Sequence, residues 1–246
     1  MRIAVVSDIH GNLTALEAVL ADLKRTSPDL IFHGGDLGYG GARPAEVVDR
    51  IRELGWPGVC GNTDEMLWEP GELRRWTAKS PASQGLLAAV ERIIPETCAR
   101  LGENRMRWLK TLPHVERQTT MALVHASPKN LWQAPSPEAS DEELEEVYHC
   151  LDVPVAVYAH IHRPYVRKLP GMTVANTGSV SLSYDGDRRA SYLIVDETQS
   201  MEESNVWVRR VEYDVDCEAE ALLSSGMPHA EWISRTLRAA RYVPLA

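Results

Sequence analysis

Apolar residues along the chain form two kinds of run. Short, near-continuous runs mark strands buried on both faces, and longer stretches with a helical repeat mark amphipathic helices. Arg2 to Ser7 is of the first kind. Asn12 then offers an N-cap side chain, and Leu13, Leu16, Leu20 and Leu23 recur at helical spacing until Ser27-Pro28-Asp29 breaks the pattern. Leu30-Ile31-Phe32 reads as a second strand, and Pro44 opens a helix carrying Val47, Val48, Ile51 and Leu54. A third strand tip is expected at Gly58 to Asp64. The order β-α-β-α-β predicts an α/β sheet whose polar residues gather beyond the strand ends.

The pattern changes after Asp64. Helical spacing runs from Gln84 to Ile94 and from Arg100 to Leu112, and four of the seven tryptophans fall between 56 and 108. This predicts a helical insertion, about 65–112, whose tryptophans pack a core and which shapes the pocket. Strands are expected at Met121 to Val124 and Val153 to Ala159, separated by a Pro/Ser-rich loop and the acidic helix Asp141 to Cys150. Tyr165 to Lys168, Met172 to Ala175, Ala190 to Val195 and Val206 to Val211 read as further strands. After Asp214 come two helical stretches split by Gly226-Met227-Pro228. The expectation is a single domain over 1–246 with a C-terminal helical tail at about 214–246.

With 246 residues, 44% of them hydrophobic, the chain can bury a sizeable core without disulfides or a structural metal. Any metal site is therefore expected to be functional. The net charge of −9 repels phosphate backbones at long range, so nonspecific nucleic-acid binding is not expected. Small anionic substrates stay open, because bound cations reverse a local field. Cys60, Cys98, Cys150 and Cys217 are scattered with no C-x-x-C pair, which predicts reduced thiols and a cytoplasmic location. No apolar run approaches the roughly 18 residues of a membrane span, and the opening strand is too short for a signal sequence, so no membrane partner is expected.

The chemistry sits at the strand ends. Asp8 and His10, Asp36, Asn62, His125, and His160 with His162 each follow an apolar run. Taken singly these are weak signals: Gly-Gly-Asp makes tight turns, Gly-Asn-Thr-Asp makes a turn with a cap, and one histidine after a strand is usually structural. H-x-H says more, since on a strand both rings face one side. Five such motifs in one chain place imidazoles, carboxylates and an amide at one sheet edge, a donor set suited to Mn, Fe, Co, Ni or Zn. Two such ions sharing a carboxylate activate water for in-line attack at phosphorus.

The ordered series D-x-H, G-G-D, G-N-x-D, strand-ending His and H-x-H resembles the calcineurin-like metallophosphoesterase superfamily, and within it the small prokaryotic phosphoesterases. SDIHGN, GDLGYGGARP and NTGSVSLSYDGDRRASYLIVD carry the likeness over about Met1 to Tyr213. It implies an α/β (α+β) fold, a four-layer αββα sandwich of two stacked mixed sheets. It implies two divalent ions, Mn or Fe foremost with Ni, Co or Zn as substitutes. Asp8, His10, Asp36 and His162 would hold the first, and Asp36, Asn62, His125 and His160 the second. A water or hydroxide bridging them would be the nucleophile. The resemblance also gives Asn62, Asp64 and His10 catalytic roles, with Asp64 behind the ligands.

Many members of that superfamily place a histidine after Gly-Asn as general acid; here the residue is Thr63, a poor proton donor. Leaving groups of low pKa, as in phosphodiesters or dinucleoside polyphosphates, are therefore expected to be favoured. The expected partner is a small phosphorylated molecule, nucleotides included, and a homodimer is compatible. A protein-directed regulatory phosphatase and a non-catalytic interaction scaffold are the rival readings. Tyr39 is expected to contact substrate, and Arg163 to clamp a phosphate. His33 is expected to be structural, and His114, His149 and His229 to lie on the surface.

Overall fold

The computed structural model describes residues 1–78, 84–197 and 205–245. Helices α1 (Leu13–Thr26), α2 (Pro44–Leu54), α3 (Asn62–Glu65), α4 (Gly71–Thr77), α5 (Gln84–Leu109), α6 (Asp141–Tyr148), α7 (Val215–Ser224) and α8 (Ala230–Ala239) surround two sheets. The first sheet has the order β2 (Leu30–His33), β1 (Arg2–Val6), β8 (Ala190–Asp196), β9 (Asn205–Val211). The second has the order β3 (Val115–Arg117), β4 (Met121–Val124), β5 (Val155–Tyr158), β7 (Met172–Asn176), β6 (Tyr165–Leu169). Both are mixed: β1 runs parallel to β2 and antiparallel to β8, while β4, β5 and β7 are parallel and β3 and β6 are antiparallel to their neighbours.

The two-residue period of a strand explains the layers. Ile3 and Val5 point one way and meet Leu123, Val155 and Val157 of the other sheet. Ala4 and Val6 point the other way and pack with Leu16, Val19, Val47 and Ile51 of α1 and α2. The outer face of the second sheet, Val124, Ala156 and Tyr158, packs on Leu144 and Tyr148 of α6. Helices thus cover both outer faces of a stacked pair of sheets, the αββα sandwich. β1 has no solvent face, which is why its sequence shows no polar alternation.

Local departures from expectation have local causes. The third strand is only a parallel bridge from His33 to Gly58, because Asp64 caps the Gly61 N–H and starts α3 at Asn62. β3 has three residues, too few for a periodic signal. The helical segment α5 passes through Pro95 and breaks at Gly102, where φ is 68°. Residues 79–83 of the expected insertion lie outside the described residues. Of the insertion's tryptophans, Trp68 and Trp108 are half-buried against the core as expected, whereas Trp76 is exposed. His114 and His149 are exposed, but His229 is half-buried at the start of α8.

Candidate metal centre

Asp8 and His10 follow β1, Asp36 follows β2, Asn62 opens α3, His125 follows β4, and His160 and His162 follow β5. Five of these seven have left-handed backbones: Asp8 (φ 54°), His10 (48°), Asp36 (55°), His160 (67°) and His162 (57°). Each such residue costs roughly 1 kcal/mol or more, a concentration of strain typical of functional sites. The geometry corrects the reason given for H-x-H. His160 and His162 lie past the end of β5, and two left-handed residues flanking Ile161 turn both rings to the edge. Asp8 and His10 repeat the device around Ile9, which is buried in the core.

Glycines let the loops cross. A Cβ on Gly35, where φ is +86°, would lie 2.4 Å from the Gly61 nitrogen, and one on Gly61 would lie 2.0 Å from Asp36 Oδ1. The Gly-Gly-Asp and Gly-Asn motifs therefore face each other with no room for side chains. Asp64, wholly buried, ties them together: its carboxylate accepts from the N–H groups of Asp36 (2.8 Å), Leu37 (3.1 Å) and Gly61 (3.0 Å). Burial, with the Asp36 charge nearby, pushes the Asp64 carboxyl up to about 7.

The ring tautomers follow from the outer partners. The carbonyls of Tyr39, Leu182 and Gly34 can only accept, so they take the Nδ1–H of His10 (3.3 Å), His162 (2.5 Å) and His125 (2.7 Å). Each neutral ring then turns a bare Nε2 inward, the arrangement usual behind metal-bound histidine. His10 Nε2 lies 3.4 Å from His162 Nε2, and His162 Nε2 lies 3.1 Å from Asp8 Oδ1. Neither approach is a hydrogen bond when Nδ1 holds the proton, and both Asp8 oxygens are buried without a hydrogen-bond partner.

Ligand atoms of Asp8, His10, Asp36 and His162 all lie within 4.8 Å of one another. Electron-rich atoms so arranged repel unless a cation sits among them, so the donor set fits a divalent ion. Beside it, Asn62 Oδ1 faces His125 Nε2 at 2.9 Å and His160 Nδ1 at 2.8 Å. Asp36 spans the two groups, with Oδ2 3.7 Å from His10 Nε2 and Oδ1 3.5 Å from His125 Nε2. Burial lowers the His10 imidazole and takes His160 down to about 4. At His125 and His162 burial acts the same way but is outweighed by the Asp36 and Asp8 carboxylates, and both rings are raised. The centre draws positive charge.

Further residues hold this frame, and the sequence reading gave them no role. Ser179 donates to the Asp8 carbonyl at 2.8 Å, and Tyr184 stacks on His162 with centroids 4.7 Å apart. Both lie in the NTGSVSLSYDGD stretch, so their signal was present in the motif. A cavity of about 200 Å³ adjoins the centre, and Tyr39 and Thr63 line it. Arg163 does not: its guanidinium pairs with Glu138 at 3.1 Å and is half-exposed. Among the described residues, the cavity's outer wall comes from α7 and α8 and not from the insertion, whose Ile93 packs behind Tyr39.

Comparison with known proteins agrees with this geometry. A family model described as the calcineurin-like phosphoesterase superfamily domain matches residues 1–200. An uncharacterized protein of Methanocaldococcus jannaschii is 30% identical, with 96% of each chain covered. A Synechococcus protein named a probable cyclic nucleotide phosphodiesterase is 25% identical over 75% of this chain and 82% of its own. The crystal structure of a metallophosphoesterase from Sphaerobacter thermophilus superposes with a TM-score of 0.76 at 26% identity, covering 98% of this chain and 99% of that one.

Proposed function

The chain belongs to the calcineurin-like phosphoesterase superfamily and is a metal-dependent phosphoesterase, and from that premise we propose that it hydrolyses small phosphodiesters or phosphoanhydrides with good leaving groups. The observation that carries the reading is the buried cluster of Asp8, His10, Asp36 and His162, whose ligand atoms lie within 4.8 Å of one another with both Asp8 oxygens unpartnered, and beside which Asn62 gathers His125 and His160. Asp8, His10, Asp36 and His162 would hold one divalent ion, and Asp36, Asn62, His125 and His160 a second. When bound, such ions supply Lewis-acid charge that polarises a phosphoryl group and lowers the pKa of water.

The chain's own residues set the stage for that chemistry. Backbone carbonyls fix the ring tautomers so that lone pairs face inward. Asp64 acts as a positioning residue that fixes the Asp36 and Gly61 loops through backbone N–H groups. Thr63 donates its N–H to Asp36 Oδ1 at 2.9 Å, which orients the shared carboxylate. Its hydroxyl is buried, unpartnered and at the cavity wall, where it hydrogen-bonds substrate but is too weak an acid to protonate an alkoxide efficiently. Leaving groups that depart unprotonated are favoured for that reason. The small cavity supports a small substrate over a protein one, and the name of the Synechococcus relative is consistent with a diester.

The test is an assay with Mn of bis(p-nitrophenyl) phosphate against ethyl phosphate, with Asp36→Asn alongside. The diester is expected to turn over faster and the variant to be inactive. A preference for ethyl phosphate would overturn the leaving-group reading, and an active Asp36→Asn would overturn the centre.

A further inference from the structure

The cavity beside the metal centre has two chemically different ends. One is the ligand cluster itself. The other is built by the C-terminal helices: Leu222 from α7, and Trp232, Ile233, Thr236 and Leu237 from α8. These residues lie beyond the segment matched by the family model, which ends at 200. Three hydroxyls on the cavity wall, Tyr39 Oη, Thr63 Oγ1 and Thr236 Oγ1, are buried with no hydrogen-bond partner. Thr236 is only 3% exposed, so an unmet hydroxyl there needs a ligand or water to satisfy it. Among the described residues lining the cavity there is no Lys or Arg. Glu218 reaches the wall, but its Oε2 is held by Thr14 at 2.7 Å and by Arg43.

Resting on the phosphoesterase reading, we propose that this compartment is a specificity site for the organic part of the substrate: a single neutral ring, aromatic or heterocyclic, with hydrogen-bonding atoms on its edge. The volume sets the size. A cavity of about 150 Å³ holds benzene, and the whole cavity, ligand end included, is about 200 Å³, so the compartment takes no more than a single ring. The walls set the polarity. Apolar side chains suit the faces of a ring, and the three hydroxyls suit polar atoms at its edge. The charge pattern excludes polyphosphate tails, since a second phosphate would sit among Leu222, Ile233 and Leu237 with no cation to compensate it. This narrows the substrate to one phosphoryl group carrying a ring and sets dinucleoside polyphosphates aside.

Two variants and two readouts test this. Ile233→Trp fills the compartment, and Thr236→Val removes one hydroxyl at nearly constant volume. The KM for phenyl phosphate and bis(p-nitrophenyl) phosphate is compared with inhibition by inorganic phosphate, which needs only the metal centre. Expected is a KM raised by about tenfold or more in Ile233→Trp and by a smaller factor in Thr236→Val, with phosphate inhibition unchanged in both. Unchanged aryl KM values, or KM and phosphate inhibition shifting together, would overturn the proposal. If no ester is hydrolysed, the phosphoesterase reading fails on its own. Binding of benzyl alcohol to the metal-free protein, followed by Trp fluorescence, then decides the compartment: binding lost in Ile233→Trp upholds it, and no binding to the wild type overturns it.

Discussion

One methyl group placed on Gly61 tests the centre directly. The backbone there is extended (φ −97°, ψ 168°) and open to alanine, so Gly61→Ala adds no conformational strain. What it adds is a Cβ 2.0 Å from Asp36 Oδ1, 2.4 Å from Asp36 N and 2.8 Å from Asp36 Cγ. Ordinary contact between such atoms is about 3.5 Å, so the carboxylate and loop must part by roughly 1.5 Å. Asp36 cannot simply swing aside, because its N–H is held by Asp64 at 2.8 Å and its Oδ1 by the Thr63 N–H at 2.9 Å. Overpacking of this kind costs about 1–3 kcal/mol, and a displacement near 1 Å at a reacting centre costs about 10²-fold in rate. The expected outcome is a kcat/KM lowered by about 10²-fold or more and a smaller rise in Tm on adding Mn, with the circular dichroism spectrum unchanged. Gly85→Ala is the control, since a Cβ there meets nothing within 4 Å. Wild-type kcat/KM and Mn response in Gly61→Ala would refute the argument that Asp36 is held against this loop.

Three further outcomes are expected. His33 is wholly buried with both ring nitrogens unpartnered, and burial takes its pKa from 6.5 down to about 3; between those values the unfolded chain binds a proton that the folded one does not. Stability is thus full above pH 6.5 and falls as pH drops towards 3, by about 2 kcal/mol between pH 8 and pH 5 from this ring alone; urea titrations of wild type and His33→Leu under chelation should differ in pH slope by that amount, and parallel slopes would exclude it. Asp64→Ala leaves the N–H groups of Asp36, Leu37 and Gly61 without an acceptor, for a loss of about 3 kcal/mol or more in denaturant stability together with reduced kcat. Free Mn at about a hundred times its Kd should stabilise the fold by about 2.7 kcal/mol, roughly 5–10 °C in Tm for a chain of this size; Asp36→Asn should abolish most of that shift, and an equal shift in the variant would point to binding elsewhere.

Sequence and structure agree where the signal is local. β1 reads as a doubly buried strand because Ile3 and Val5 meet one sheet partner while Ala4 and Val6 meet helices, so every position must be apolar. Strand-end ligands read well because each motif is carried by a few consecutive residues. What the pattern hides is backbone hand and distance. No periodicity announces that Asp8, His10, Asp36, His160 and His162 adopt left-handed φ, so the pattern alone suggests strand geometry for H-x-H where two left-handed residues produce it. Arg163 looked like a phosphate clamp from its place after the motif, yet Glu138, from a remote loop, claims it.

The C-terminal helices show the same limit with a larger consequence. Leu222, Ile233 and Leu237 carry the spacing of ordinary amphipathic helices, and nothing in that spacing separates a face turned to a core from one turned to a cavity. Leu222 and Ile233 do pack, with Met227 and with Ile93 of α5, and the same surface continues into the wall opposite the ligand cluster. Packing and recognition therefore share side chains. Truncating Leu222 or Ile233 to Ala would loosen the packing against Met227 and Ile93 as well as enlarge the void, and Thr236→Val, which keeps the volume, separates recognition from packing. Chemistry at this centre is set by residues within a few positions of strand ends, and on the proposed reading substrate choice is set by the two C-terminal helices, which follow every one of the ligands in the chain. A relative sharing the seven ligands but differing at Leu222, Trp232, Ile233, Thr236 and Leu237 would keep the reaction and change the substrate.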